Sequence, residues 1–399
     1  MIRIAISALL GGFFSALVPV LALLLLEPAR YGLFSLIYLI FAFGLSVQYS
    51  TLSEAWARER RERGEKVGLL SIVLPPAEWA SYCGMLIPLA VLFGAIAAVT
   101  SVSIAGLRAD AVLLGGAVLV GVYRNGARYF AAAERSITRV LISDIAGIAV
   151  FAAVMVVTAG SSIGSIAIPW LASGIVSAAA LRLPTVRRGS GPIAWIARNK
   201  HNIRPLLLDS LLMDAGAIGT PFLLAGFMGP TRFGVYRAVS NVALPVRLLI
   251  DPLRPILGGM PRARIVGRTG TVLLLAASLA LSIACFVILT MVVPAIPVSL
   301  GTLSSLADFA VPCSIFVIGS LLGTVYYIAC RAHSPHRRIL FGRVVQTTAV
   351  IALPLTGAIV WGLSGAIWGF AISSCLSAAV WAGIVRSSDA SASAAPHAS

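Results

Sequence analysis

The chain has 399 residues, of which 59% are hydrophobic and only 11% charged, and its mean hydropathy is +0.98. A soluble protein of ordinary composition carries about 25% charged residues, so the chain reads as a membrane protein. At ~20 apolar residues per span and about ten per connection, its length accommodates roughly twelve transmembrane helices. Little is left over for an ectodomain or a fused nucleotide-binding domain.

Taken in chain order, the first element is the apolar run from Ile4 to Leu26 behind Arg3. It is too long for a signal-peptide core and lacks a small-residue cleavage site, which predicts an uncleaved helix. Further helices are predicted near 32–53, 80–105, 110–132, 139–159 and 163–181, completing a first six-helix lobe over residues 1–181. Residues 67–79, interrupted by Pro75-Pro76, read as a short interfacial helix. Residues 182–204 are basic and contain Pro and Gly, and read as a cytoplasmic linker. A second six-helix lobe over 205–386 follows, with helices near 206–228, 231–255, 269–296, 306–330, 340–361 and 363–386. The small-residue stretch 387–399 reads as a disordered cytoplasmic tail.

The net charge of +16 is distributed unevenly over these connections. One side collects Arg3, Arg58 to Lys66, Arg135, Arg139, Arg182 to Arg204, Arg262 to Arg268, Arg331 to Arg338 and Arg386; the other holds Arg30, Arg108 and Arg232. Because basic loops stay cytoplasmic, both termini are expected to face the cytoplasm. The charge then reflects topology and anionic headgroups, without nucleic acid as a partner. The cysteines, Cys83, Cys285, Cys313, Cys330 and Cys375, lie in or beside apolar runs without metal-ligand spacing and read as small hydrophobes.

An internal repeat divides the chain. Pro28 to Phe34 and Pro230 to Tyr236 share the pattern P-x-R-[YF]-G-[LV]-[FY] at an offset of 202, and Pro19 matches Pro221 at the same offset. At an offset of 199, Arg139 matches Arg338, Leu141 matches Leu340, and Ser165, Ala167, Ile168 and Ala172 match Ser364, Ala366, Ile367 and Ala371. Two homologous lobes with an even number of spans enter the membrane in the same orientation, as in alternating-access carriers.

Corresponding Gly/Pro-interrupted helices point to a transport site. Gly11, Gly12 and Pro19 interrupt the first span and Gly216, Gly219, Pro221 and Gly226 the seventh, which makes Pro19 and Pro221 candidate bending points. Intramembrane charge costs about 2.5–3.5 kcal/mol per residue on insertion scales, so its position is informative. In the eighth span Arg237, Asn241, Arg247, Asp251 and Arg254 fall within an arc of about 140° and predict a cavity-lining face with a cationic substrate site at Arg237, Asn241 and Arg247. Asp251 follows Arg247 by one turn and can pair with it. In the seventh span Asp209 and Asp214 are candidates for ion coupling or counter-charge, Asp214 being the deeper. The positions equivalent to Arg237, Arg247 and Asp251 in the first lobe are Ser35, Leu45 and Tyr49, so the cationic face is expected in one lobe only. Arg124 and Arg128, one turn apart in the fourth span, can admit an anionic headgroup or simply mark topology.

Catalytic chemistry has little support. His201, His333, His336 and His397 fall in loops or the tail, and no nucleophile triad, metal cluster or Walker sequence is present. The expectation is a non-enzyme without cofactor or metal, driven by H+ or Na+, by a partner or by substrate supply.

Two six-helix lobes, the Gly-Pro-x-x-Phe-Gly-x-Tyr turn from Gly229 to Tyr236, its weaker copy from Pro28 to Phe34, and Leu363-Ser364-Gly365-Ala366 at the start of the last span resemble a known family. It is the polysaccharide-transporter branch of the multidrug/oligosaccharidyl-lipid/polysaccharide exporter superfamily. The resemblance covers the chain to about Arg386 and implies an all-α polytopic fold of two pseudo-symmetric lobes. It also implies a Wzx-type flippase that moves lipid-linked oligosaccharide, usually undecaprenyl-pyrophosphate-linked, to the outer leaflet. Partners implied with it are membrane lipids and polysaccharide polymerase or glycosyltransferases of the same pathway. A drug/cation antiporter of the multidrug branch and a non-transporting scaffold of a polysaccharide assembly complex remain open.

Overall fold

In hydrocarbon no water satisfies a backbone N–H or C=O, so each apolar run must close its hydrogen bonds within the segment and form a helix. The computed structural model describes residues 2–62, 76–133, 136–158, 160–185, 192–244, 246, 250, 257 and 260–387. Among these residues all regular structure is helical. Nine described helices are long and apolar enough to cross a membrane, and the one at Arg337–Ser387 spans 51 residues, sufficient for two crossings. The chain divides into two compact units: Met1–Leu26 with Leu33–Asp214, and Glu27–Gly32 with Ala215–Ser399.

The first unit contains α1 (Ile2–Leu25), α2 (Pro28–Gln48, from Leu33 onward), α3 (Glu54–Glu62), α4 (Pro76–Ser103), α5 (Ala111–Ala133), α6 (Ile137–Val157), α7 (Gly164–Leu181) and α8 (Pro192–Asp214). A π-helical turn, Tyr49–Ser53, joins α2 to α3. The helices pair α4 on α5, α6 on α7, α5 on α7 and α1 on α6. Small residues set the closest of these approaches: a Cβ at Gly94 would meet Leu119 at 2.7 Å and the Gly115 carbonyl at 2.9 Å.

The second unit contains a π-helical turn Ala215–Gly219, α9 (Thr220–Phe227), α10 (Pro230–Val242), α11 (Arg262–Val266), α12 (Arg268–Val287), α13 (Ala310–His333) and α14 (His336–Ser387). Helix α14 is two antiparallel halves joined at Trp361–Gly362, where Gly362 takes φ +61°, a left-handed conformation that glycine adopts without a Cβ clash. The halves meet at glycines, since a Cβ at Gly357 would overlap the Gly365 carbonyl and one at Gly365 the Gly357 carbonyl. The repeated turn motif is also explained in this unit. A Cβ at Gly32 would overlap the Pro230 carbonyl and one at Gly234 the Pro28 carbonyl. Each copy of P-x-R-[YF]-G thus supplies the proline carbonyl against the other's glycine, the reciprocity that a two-fold relation requires.

Several boundaries differ from the sequence expectation. Helix α8 begins at Pro192, inside the stretch read as linker. Trp195, Asn199, Asn202, Ile203 and Leu206 are buried while Arg198, Lys200, His201 and Arg204 are exposed, a 3.6-residue period that a search for apolar runs does not register. Trp195 Nε1 donates to Glu59 Oε2 of α3 at 3.1 Å, fixing that face. Trp79 belongs to α4, not to a separate interfacial helix. Helix α1 runs unbroken through Gly11, Gly12 and Pro19. Residues 67–75, Arg63, Lys66, Arg135, Arg187, Arg188, Arg247, Asp251, Arg254 and 388–399, with His397, lie outside the described residues.

Prolines within these helices leave the carbonyl four residues earlier without its donor. Side-chain hydroxyls fill three of these positions. Tyr38 Oη donates to Ser15 O below Pro19 (3.4 Å), Thr158 Oγ1 to Ser165 O below Pro169 (3.4 Å) and Thr220 Oγ1 to Val350 O below Pro354 (3.3 Å). At Pro221 the equivalent carbonyl, of residue 217, falls inside the π-helical turn Ala215–Gly219. The seventh span is therefore interrupted in its backbone pattern and the first is not.

Candidate functional site

The strongest concentration of charge among the described membrane helices is in the first unit. Arg124 and Arg128 of α5 both bind the carboxylate of Asp144 on α6. Arg124 Nη2 reaches Asp144 Oδ1, while Arg128 contacts Oδ2 through Nη2 at 3.0 Å and both oxygens through Nε at 3.2 Å. Asp144 is fully buried and Arg124 is 3% exposed. A buried carboxylate between two guanidiniums leaves a net positive cluster.

Four helices converge on it. Arg124 Nε donates to Ser177 Oγ of α7 at 3.0 Å, and Ser143 of α6 donates to the Ser177 carbonyl at 2.8 Å. Arg128 Nη2 donates to the Ser7 carbonyl of α1 at 2.7 Å. The Phe14 ring of α1 lies 4.3 Å from the Arg124 guanidinium carbon, in cation–π geometry. Gly11 makes this approach possible, because a Cβ there would overlap the Arg128 guanidinium.

Above Arg124 lies a cavity of ≈ 70 Å³, bounded by Phe14 and Ser15 of α1, Tyr38 and Phe41 of α2, Asn125 of α5 and Trp170 of α7. The Phe41 and Trp170 rings stand edge to face at 5.2 Å, with Tyr38 5.5 Å from Phe41. A volume of this size holds one or two water molecules, at ~30 Å³ each. Its walls are aromatic and its floor is cationic, a combination suited to orienting a polar ligand by a few placed groups.

The sequence-predicted residues divide as follows. Arg124 and Arg128, read as a place to admit a headgroup or as markers of topology, both face α6 and are paired with Asp144. Arg237 is half-buried, and its Nη1 donates to Ser240 Oγ one turn on at 2.6 Å. Asn241 Nδ2 donates to the Tyr31 hydroxyl. Arg247 and Asp251, expected beside them, lie outside the described residues, so their part of the cationic face carries no geometry. Asp209 is half-buried. Asp214 is 6% exposed, accepts a hydrogen bond from Ser46 of α2, and has no partner for Oδ2 among the described residues. It is the last residue of α8, directly before the π-helical turn at Ala215. Such turns are frequent at functional sites because they leave backbone carbonyls open to other partners.

One expectation is corrected: a cationic cluster is not confined to the second lobe, because Asp144, a carboxylate that the sequence reading passed over, gathers Arg124 and Arg128 in the first. The signal was present in the spacing: Arg124 and Arg128 lie about 14 and 8 Å along the helix axis from the end of α5, and Asp144 about 11 Å from the start of α6. In an antiparallel hairpin the acid therefore falls between the two bases. Among the described residues no group of three or more His, Cys, Asp or Glu side chains is placed to hold a metal ion.

No family model matches the chain, and no curated protein matches it. Solved structures do match along nearly its whole length. An inward-facing multidrug resistance MATE family transporter of the MOP superfamily superposes with a TM-score of 0.66 at 14% identity, covering 96% of this chain and 95% of that one. An outward-facing structure of a MATE family transporter gives 0.57 at 14% identity over 99% and 96%. A MOP superfamily transporter from Pyrococcus furiosus, described as having a binding pocket of reverse polarity that suggests a different function, gives 0.58 at 13% identity over 97% and 94%. The protein is thus a multi-pass membrane protein with the MATE-like fold; identities this low establish the fold alone.

Proposed function

We propose that the chain is an alternating-access carrier that moves an anionic, lipid-linked oligosaccharide from the inner to the outer leaflet of a bacterial cytoplasmic membrane, with both termini cytoplasmic. The observation that carries the reading is the net positive Arg124–Asp144–Arg128 cluster beneath an aromatic cavity. A pyrophosphate head requires cationic donors, and sugar rings present apolar faces that stack on aromatic walls. Support for the transport mode comes from the shared fold, whose relatives are described in inward- and outward-facing conformations. The reverse-polarity binding pocket described for the Pyrococcus furiosus protein is compatible with a cationic pocket on this fold. Asp214 is the proposed H+ or Na+ coupling group, since it is buried and its Oδ2 has no hydrogen-bond partner among the described residues. At ≈ 70 Å³ the cavity must widen to take a headgroup, which assigns bound substrate to another state of the cycle. Arg237 of the second unit is proposed separately as a cationic substrate contact.

The test is the leaflet distribution of polyprenyl-linked oligosaccharide in cells depleted of the protein and complemented with wild type, Arg124→Lys or Arg237→Ala, with membrane abundance measured alongside. Accumulation on the cytoplasmic face, relieved by wild type and not by an equally abundant Arg124→Lys, is expected. An unchanged distribution on depletion overturns the substrate; altered drug sensitivity would then favour the antiporter, and loss of abundance in every charge variant a scaffold.

A further inference from the structure

The first unit carries a second opening, separate from the charged cluster. It is a groove of ≈ 300 Å³ between α4, α5 and α7, walled by Ile87, Val91, Leu119, Ile175 and Ala179 and ending at Arg182. The lining is hydrocarbon along its length, and it is open: Val91 is 49%, Ile175 51% and Leu183 69% exposed. On membrane-spanning helices an open apolar groove faces the bilayer, where its filling material is a lipid chain and not water.

The end of the groove is built differently from its walls. The chain leaves α7 with Arg182 in extended backbone at φ −165° and ψ 134°. Two interfacial aromatics hold it there: Tyr123 Oη donates to Arg182 O at 2.8 Å and Trp79 Nε1 to Leu183 O at 3.1 Å. The Arg182 guanidinium lies 5.6 Å from the Trp79 ring and 5.9 Å from the Phe130 ring. Tryptophan, tyrosine and arginine together at a helix end mark the headgroup level of a bilayer. A guanidinium carries five N–H donors in a planar fork, the geometry that pairs with phosphate.

We propose that this groove is a binding site for an anionic membrane phospholipid, with one acyl chain along α4, α5 and α7 and the phosphate at Arg182. The apolar length selects a chain and the single basic end selects the sign of the head. The bound chain would bridge α4 to α7 without entering the cluster at Asp144. This site is independent of what the protein transports.

The test uses the full-length protein in phosphatidylcholine vesicles containing phosphatidylglycerol with a photoreactive group at the end of one acyl chain. Labelling is expected on peptides containing Val91 and Ile175, several-fold above that from an equally labelled phosphatidylcholine. Ala179→Trp, at an exposed groove position, should fill the groove and abolish this labelling, while Ile142→Trp on the exposed face of α6 leaves it unchanged. Arg182→Gln should bring the two lipids to equal labelling without removing it. Equal labelling by both lipids in wild type, or labelling that survives Ala179→Trp, overturns the site. Displacement by polyprenyl phosphate but not by excess unlabelled phosphatidylglycerol overturns the assignment to phospholipid.

Discussion

Replacing Asp144 by Asn removes one charge and almost no volume, and so isolates the electrostatic role of the cluster. At 3.0 Å from Arg128, in an effective dielectric of about 20, the carboxylate contributes roughly 5 kcal/mol of attraction to that one guanidinium. Desolvation of the three groups offsets much of this in the intact cluster. Once the carboxylate is neutralised, the buried Arg124 guanidinium and the partly buried Arg128 guanidinium are left side by side without a counter-charge. Removing one partner of a buried ion pair costs ~3–5 kcal/mol, and the lower end applies here because an amide oxygen still accepts one hydrogen bond. Asp144→Asn should therefore lower the unfolding free energy in detergent by about 3 kcal/mol. Arg128→Gln in the same chain should restore at least about 1 kcal/mol, because it removes the repulsion that the first change exposed. The assay is denaturant unfolding of the single and double variants in one micelle system. An Asp144→Asn variant within about 0.5 kcal/mol of wild type, or strict additivity with Arg128→Gln, would refute the reasoning.

Two further outcomes follow from backbone geometry. Gly234→Ala drives a Cβ into the Pro28 carbonyl, and with backbone on the far side neither partner can yield cheaply, so a loss of about 1–3 kcal/mol and lower membrane abundance are expected; wild-type melting would contradict it. Thr220→Val should cost about 1–3 kcal/mol by orphaning the Val350 carbonyl, and the cost should largely vanish in a Pro354→Ala background, where a backbone N–H returns; an equal cost in both backgrounds would show that the hydroxyl does not serve that carbonyl.

How much was legible in the sequence depended on whether the signal was composition or geometry. Apolar runs were legible because hydrocarbon forces them into helices, and the order of the spans followed directly. The motif at Pro28 and Pro230 was legible as a repeat, but its cause was not: the two glycines are required by each other's proline carbonyls, Gly32 by that of Pro230 and Gly234 by that of Pro28, contacts between copies far apart in the chain. The start of α8 was hidden because its buried face, Trp195, Asn199 and Asn202, is partly polar and its basic residues point outward, so mean hydropathy falls where the helix persists.

The cluster at Asp144 escaped the sequence for a related reason. A helical wheel sorts charges within one helix, and by that measure the five polar residues from Arg237 to Arg254 outweighed a pair such as Arg124 and Arg128. What gives intramembrane charge its meaning is the depth it shares with charge on neighbouring helices, because only there can a buried carboxylate be compensated. Asp144 falls between Arg124 and Arg128 in depth across the short turn from α5 to α6, and the pairing follows from that alone. On α10, Arg237 has Ser240 of its own helix as a hydrogen-bond partner, a local contact that holds a side chain without tying two helices together. A cation held by its own helix can turn toward a ligand at the cost of one hydroxyl bond, whereas Arg124 can do so only by separating from Asp144 and Ser177.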